Sequence, residues 1–172
     1  SGLMLIPEDR QRQGLVQPLT VTENMTLASL KRHLKRGVLS RAKEKKSVHD
    51  HIEKLAIKVA NAEQPVMSLS GGNQQKVVVA KSLLTEPRVL LMDEPTRGVD
   101  VGAKTDIFRI MKNIAQQQRA VLFTSSELRE VLEMSDRVLV LSKGTVTADL
   151  SGTELTKERI LDACVAKNSE NQ

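Results

Sequence analysis

The sequence has no tryptophan, no tyrosine and two phenylalanines among its 172 residues. Nucleic-acid modules that stack bases on aromatic rings are thereby disfavoured. Cys164 is the sole cysteine, so no internal disulfide can form and a reducing compartment is expected. No apolar run approaches the roughly 20 residues that span a bilayer. The longest, such as Val89-Leu90-Leu91-Met92 and Val138-Leu139-Val140-Leu141, are the length of strands. The start, Ser1-Gly2-Leu3, has no basic stretch followed by a long apolar one, so no secretory leader is expected. None of the nine glycines is followed by lysine, so the Gly-Lys-Ser/Thr loop that cradles phosphates has no counterpart here. There is no internal repeat and no low-complexity tract. What remains is a globular composition, 40% hydrophobic and 27% charged, which excludes disorder and supports one domain with a real core.

The net charge of +5 is local. Residues 31–46 hold eight lysines and arginines against Glu44 alone, a net +7 that leaves −2 for the rest of the chain. A solvated face of a helical segment is the expected reading. A phosphate-binding track and a face near anionic lipid head groups are the alternatives.

Along the chain, residues 3–6 form a short apolar run stopped by Pro7, a buried strand. Residues 8–19 are polar and read as a loop. Met25, Leu27, Leu30 and Leu34 follow helical spacing, and after Gly37 so do Val48, Ile52, Leu55 and Val59. Beyond Pro65 the texture changes to strands alternating with helices. A helix runs from Gly71 to about Leu84, a strand over 89–93, a helix with Ile107, Ile110, Met111 and Ile114 on one face, a strand over 120–124, a helix over 127–134 and a strand over 137–141. That alternation predicts parallel pairing through βαβ crossovers. Residues 145–150 form a hairpin partner across the turn 142–144. Thr156 caps a last helix reaching Ala166, and 167–172 read as a frayed tail.

Two clusters carry chemistry. Asp93 and Glu94 end an apolar strand, where open α/β sheets bind ligands. Adjacent acids in a dry cleft need a cation, and Mg²⁺ with a nucleotide supplies one. A solvated strand end remains an equal alternative for this motif alone. Ser70-Gly71-Gly72 open a helix, where unhindered backbone N–H groups and the positive end of the helix dipole suit an anion. An ordinary helix start with a serine cap is the competing reading. The histidines are poor metal candidates, because His49 and His51 point to different faces. Cys164 and the methionines Met92, Met111 and Met134 read as packing residues.

Together the two clusters resemble the ABC ATPases, with Leu69-Ser70-Gly71-Gly72-Asn73 as signature loop and the strand ending Asp93-Glu94-Pro95-Thr96 as Walker B. Leu69 through Lys76, Asp93 through Lys104 and Ser125-Ser126-Glu127-Leu128 are similar to the second ATPase half of carbohydrate importers of the ribose, galactose and xylose kind. Pro7-Glu8-Asp9-Arg10 and Glu23-Asn24-Met25-Thr26-Leu27 extend the likeness over nearly the whole chain. The resemblance implies an α/β fold: a partial ABC-type core of parallel sheet with flanking helices, plus an α-helical subdomain, without the N-terminal phosphate-loop portion. It implies four segments: a core strand and Q-loop-like stretch (1–21), the helical subdomain (22–67), the signature helix with Walker B and further strands (68–150), and a C-terminal helix and tail (151–172).

By the same resemblance ATP and Mg²⁺ are the cofactors. Asp93 helps hold the metal and Glu94 polarises the attacking water. Ser70, Gly71, Gly72 and Asn73 contact ATP bound to the other half, and Asp100 lies at the loop facing that half; its competing reading is an N-cap for the helix from Val101, and one residue can do both. Two positions depart from the family: Glu8 stands where glutamine is usual, and Ser126 where many members have histidine. Serine cannot supply imidazole's charge, so this half's own site is expected to bind nucleotide and turn it over slowly. The implied partners are the other ATPase half of the same polypeptide, transmembrane permease subunits and, indirectly, a sugar-binding protein. The implied location is the cytoplasmic face of the bacterial inner membrane. The chain alone is expected to be inactive and to self-associate through exposed sheet surface. A soluble ABC ATPase acting on nucleic acid or ribosomes and a non-catalytic interaction module are the alternatives; no nucleic-acid partner is expected.

Overall fold

The computed structural model describes residues 2–165. The expected end of the last helix at Ala166 and the tail 167–172 lie outside the described residues. The chain forms two compact units that divide between Thr124 and Ser125.

The first unit is built on a parallel sheet. Strand β1 (Leu3–Ile6) pairs with β4 (Val89–Asp93), and β4 pairs with β5 (Ala120–Thr124), in the order β1-β4-β5. Side chains alternate across the pleat. Ile6, Leu90 and Met92 point inward and are buried, whereas Leu3, Leu5 and Leu122 on the opposite face are 53%, 54% and 59% exposed. The buried face meets helix α3 (Gly71–Leu83), which packs against β1 and against α1 (Val21–Thr26). Helix α4 (Val101–Gln116) packs against β5 and α3. Ile107, Ile110, Met111 and Ile114 form its buried stripe, as the spacing predicts. Helix α3 is buried on nearly every side, including Gln74, Gln75 and Lys76.

Between β1 and α3 the chain departs from the sequence-based expectation in four places. Residues 8–19 are no simple loop: Asp9 caps a turn of π-helix at Arg10–Gly14 by accepting from the amides of Gln11 and Arg12. The helical reading of 23–34 holds through α1, which starts in a reciprocal capping box between Thr20 and Glu23. It then gives way to a 3₁₀ stretch, Leu27–His33, kinked at Ser29, whose hydroxyl donates to the carbonyl of Thr26. A small hairpin, β2 (Leu34–Lys35) with β3 (Val38–Leu39), turns at Arg36-Gly37, both at positive φ. Helix α2 (Arg41–Lys54) stops short of Val59. Ala56 adopts φ +49°, and the amides of Ala56 and Ile57 close onto Glu53 and Ile52 in a Schellman turn.

The basic segment 31–46 is spread over the 3₁₀ stretch, the hairpin and the first half of α2. Arg32 pairs with Glu86, Arg41 with the buried Glu44, and Lys43 donates to the Leu34 carbonyl. A cleft of about 470 Å³ lies beside it, lined among others by Lys46, Lys54 and Arg119.

In the second unit, strand β6 (Arg137–Ser142) pairs antiparallel with β7 (Thr145–Ser151), the hairpin that the turn at 142–144 predicts. Lys143 and Gly144, both at positive φ, make the two-residue turn that this pairing requires. Helices α5 (Leu128–Met134) and α6 (Lys157–Val165) belong to this unit. Val140, Leu150, Ile160 and Ala163 form its core, with Leu128 and Leu132 packed against it. Cys164, expected to pack, is exposed, while its carbonyl accepts from Ser142. No helix among the described residues is long and apolar enough to cross a membrane.

Candidate functional site

Helix α3 begins where Ser70 leaves the extended region, at φ −61° and ψ 156°. Its hydroxyl oxygen accepts from the Asn73 side-chain amide at 2.9 Å and, at the limit of length, from the Asn73 backbone at 3.5 Å. The other end of the Asn73 amide accepts from the Lys58 backbone at 2.8 Å, tying the turn to the chain beyond α2. At Gly72 a side chain would collide with Ala103, whereas at Gly71 it would have to displace the end of the Arg10 side chain. A Cβ on Gly71 would lie 2.7 Å from Arg10 Nη2, and one on Gly72 would lie 2.4 Å from Ala103 Cβ. The bare backbone is therefore a packing requirement as well as a means of close approach. Ser70 is exposed and Gly71 partly so, which leaves the start of the helix open to solvent.

Asp100 caps α4 by accepting from the Ala103 amide at 2.9 Å. The same Ala103 packs under Gly72, so the two helix starts are stacked against each other. Lys76, one turn into α3 and 4% exposed at its side chain, reaches Asp106 of α4 at 2.7 Å and the Ala56 carbonyl at 3.0 Å. The hydrogen bond from Lys76 is the main cause that holds the Asp106 carboxyl below its ordinary pKa.

Asp93 is the last residue of β4, and Glu94 follows it at φ +46°, a left-handed conformation rare outside glycine. Thr124, opposite Asp93 in the parallel register, joins the two acids. Its hydroxyl donates to Asp93 Oδ1 at 2.7 Å and accepts from the Glu94 backbone at 3.2 Å. The chain then turns through Arg97, whose amide donates to the Glu94 carbonyl. Glu8 forms an ion pair with Arg97. Arg10 donates to the carbonyls of Arg97 and Gly98 at 2.9 and 3.1 Å.

The residues 8–10, 70–73 and 93–103 thus form one contiguous set of turns in the first unit. Ser126 lies in the second unit, exposed in the turn before α5, beside Ser125, whose hydroxyl donates to Glu130. Sequence reasoning did not single out Thr124, Arg10 or Lys76 for a role. Thr124 could be found by aligning the two apolar strands; the other two are set by contacts across 30 to 88 positions.

No group of three or more His, Cys, Asp or Glu residues placed to hold a metal exists among the described residues. The donor set at Asp93 still suits Mg²⁺, which characteristically takes one or two carboxylates and completes its shell with water and phosphate oxygens. One Asp93 oxygen is oriented by Thr124, which fixes the carboxylate's direction.

A capped, glycine-lined helix start stacked on the start of a second helix, beside a parallel sheet whose central strand ends in an acid pair, fits the core of an ATP-binding cassette. The chain superposes on the dimeric post-hydrolysis state of such a cassette bound to ADP and Pi with a TM-score of 0.72, over 87% of this chain and 62% of the other, at 22% identity. A dimeric bacterial ABC transporter cassette gives 0.71 over 86% and 61%, at 23% identity. The chain belongs to the ABC transporter family, whose profile matches residues 5–97. It is 44% identical over 167 residues to the xylose import ATP-binding protein XylG of Photobacterium profundum, covering 97% of this chain and 33% of that protein. It is 49% identical over 164 residues to XylG of Moorella thermoacetica, covering 95% and 32%. It is 48% identical over 162 residues to the ribose import ATP-binding protein RbsA 2 of Rubrobacter xylanophilus, covering 94% and 31%. The chain spans about a third of the length of the curated relatives it matches.

Proposed function

We propose that this chain is part of the ATP-binding subunit of a carbohydrate importer, and that its chief contribution is the turn Ser70-Gly71-Gly72, presented to ATP held by the other ATPase half. The observation that carries this is the glycine pair at an exposed, serine-capped helix start, with Gly72 packed against Ala103 so that no side chain fits there. Backbone N–H groups at such an end favour a phosphate oxygen.

MgATP, when bound, supplies the transferable phosphoryl group and the cation that neutralises it. On the protein side, Asp93 would hold the cation, and Thr124 keeps its carboxylate in one orientation. Glu94 accepts a proton from the attacking water, and Asp100 keeps the facing loop in place by capping α4. Glu8 stands where the family usually has glutamine and Ser126 where many members have histidine; serine supplies no imidazole, so the site of this half is slow or regulatory. Residues 22–67 pass movement to permease subunits at the cytoplasmic face of the inner membrane, with the basic segment 31–46 toward anionic lipid. A sugar-binding protein acts through those subunits, and no nucleic acid takes part. The isolated chain is inactive. It self-associates through the exposed face bearing Leu3, Leu5 and Leu122, which a single concentration-independent monomer in sedimentation velocity would refute.

The deciding experiment compares Ser70→Arg with Glu94→Gln in the full-length polypeptide. Ser70→Arg is expected to lower ATPase by roughly 100-fold, the scale of losing a preorganised donor site. Glu94→Gln is expected to change it less than about threefold if this half's own site is slow. Wild-type ATPase in Ser70→Arg would sink the reading.

A further inference from the structure

Three segments far apart in the chain meet at one guanidinium. Arg10 follows β1, yet its Nη1 and Nη2 donate to the consecutive carbonyls of Arg97 and Gly98 beyond β4. The same Nη2 occupies the space beside Gly71, with the Gly98 carbonyl on that side too, 3.3 Å from where the glycine's Cβ would be. The charge is poorly compensated. Asp9, the nearest acid, is engaged by the amides of Gln11 and Arg12 and by the Arg12 side chain. Arg10 Nε is buried with no hydrogen-bond partner. A partly desolvated cation hydrogen-bonded to carbonyls, with Asp9 acting on it only through its charge, is a costly way to fill space. Its geometry, in contrast, is specific: a planar fork reaches two neighbouring carbonyls at once, which an ammonium cannot.

We infer that Arg10 is a positioning residue that clasps the Ser70–Gly72 turn to the Arg97–Gly98 turn, so that the two move as one body. This deepens the function proposed above and rests on it. There, residues 70–72 complete the ATP site of the other half, while Asp93 and Glu94 belong to the site of this one. Arg10 is then the link by which occupancy of one site alters the geometry of the other.

The test uses the full-length polypeptide carrying Arg10→Lys or Arg10→Ala. Hydrogen exchange read by mass spectrometry is expected to quicken by about tenfold or more in the peptides covering 70–74 and 97–103 together, with β4 and β5 as protected as before. ATPase is expected to fall by a similar factor in both variants, with no rescue by lysine. Gly71→Ala approaches the clasp from the other side: its methyl displaces Nη2, and exchange at 97–103 rises although Arg10 is intact. Faster exchange in one turn only, unchanged exchange, or full ATPase in Arg10→Lys overturns the inference. Ser70→Arg, measured in parallel, separates the two ideas. If it lowers ATPase and the Arg10 variants do not, the role of Arg10 falls and the function proposed above survives. If Ser70→Arg is silent while both turns exchange faster in the Arg10 variants, that function falls and the clasp survives.

Discussion

Gly72→Ala is expected to destabilise the chain by about 1–3 kcal/mol, the usual cost of forcing a methyl into a filled site. Alanine is otherwise the better helix former by roughly 1 kcal/mol, so the sign of the effect depends on the clash. A Cβ placed 2.4 Å from Ala103 Cβ is far inside van der Waals contact. The start of α3 must move away from the start of α4, carrying Ser70 and loosening the cap made by Asp100. Ala103→Gly should relieve the overlap. Alone it costs about 1 kcal/mol in helix propensity. Combined with Gly72→Ala, it should restore stability beyond the sum of the single effects, with a coupling of about 1–3 kcal/mol. Urea midpoints for the four proteins of the cycle measure this. Additivity within roughly 0.5 kcal/mol would mean the helix starts are not stacked as described.

The second large effect lies in the buried pair. Asp106→Asn leaves Lys76 buried with a carbonyl and a neutral amide in place of a carboxylate. Breaking a fully buried pair costs roughly 3–5 kcal/mol. With a third of the Asp106 side chain exposed, about 2 kcal/mol at pH 7 is the expected loss. The pH dependence has a defined sign. The folded-state pKa of Asp106 is lowered, so its contribution is complete above the unfolded value of about 3.9 and is lost as pH falls through the folded value. The stability gap between wild type and Asp106→Asn should therefore be widest near neutrality and close as the pH drops below about 4. A gap independent of pH from 7 to 3 would show that the carboxylate's charge does not matter.

Those two contacts mark the limit of what could be read from the chain alone. The stripe Ile107, Ile110, Met111, Ile114 and the caps Ser70 and Asp100 were legible because each is a local pattern with a local cause. The acid pair was legible because its strand is apolar from end to end. Lys76 was not, since Asn73-Gln74-Gln75-Lys76 reads as a solvated helix start until Asp106, thirty residues on, supplies the partner. The end of α2 was hidden for a different reason. Its left-handed residue is Ala56, where a glycine would have announced the stop. The hairpin β2–β3 has two residues per strand, too few to show an alternating period. The β6–β7 hairpin, in contrast, was legible from the tight turn at 142–144, which commits β6 to β7 although it follows an alternation of strands and helices. Arg10 and Thr124 are matters of register between distant segments, and neither leaves a trace in local composition.

Glu94 places the fold and the site in competition. At φ +46° an ordinary residue sits about 1 kcal/mol or more above glycine, which visits that region freely. On backbone strain alone, a sequence tuned for resistance to heat or denaturant would carry glycine there and lose the carboxylate with the contacts it makes. Engineering this chain by selecting for thermal tolerance thus drives toward deletion of the acid next to Asp93. A thermotolerant variant would have to recover its margin elsewhere, at positions whose side chains answer only to packing.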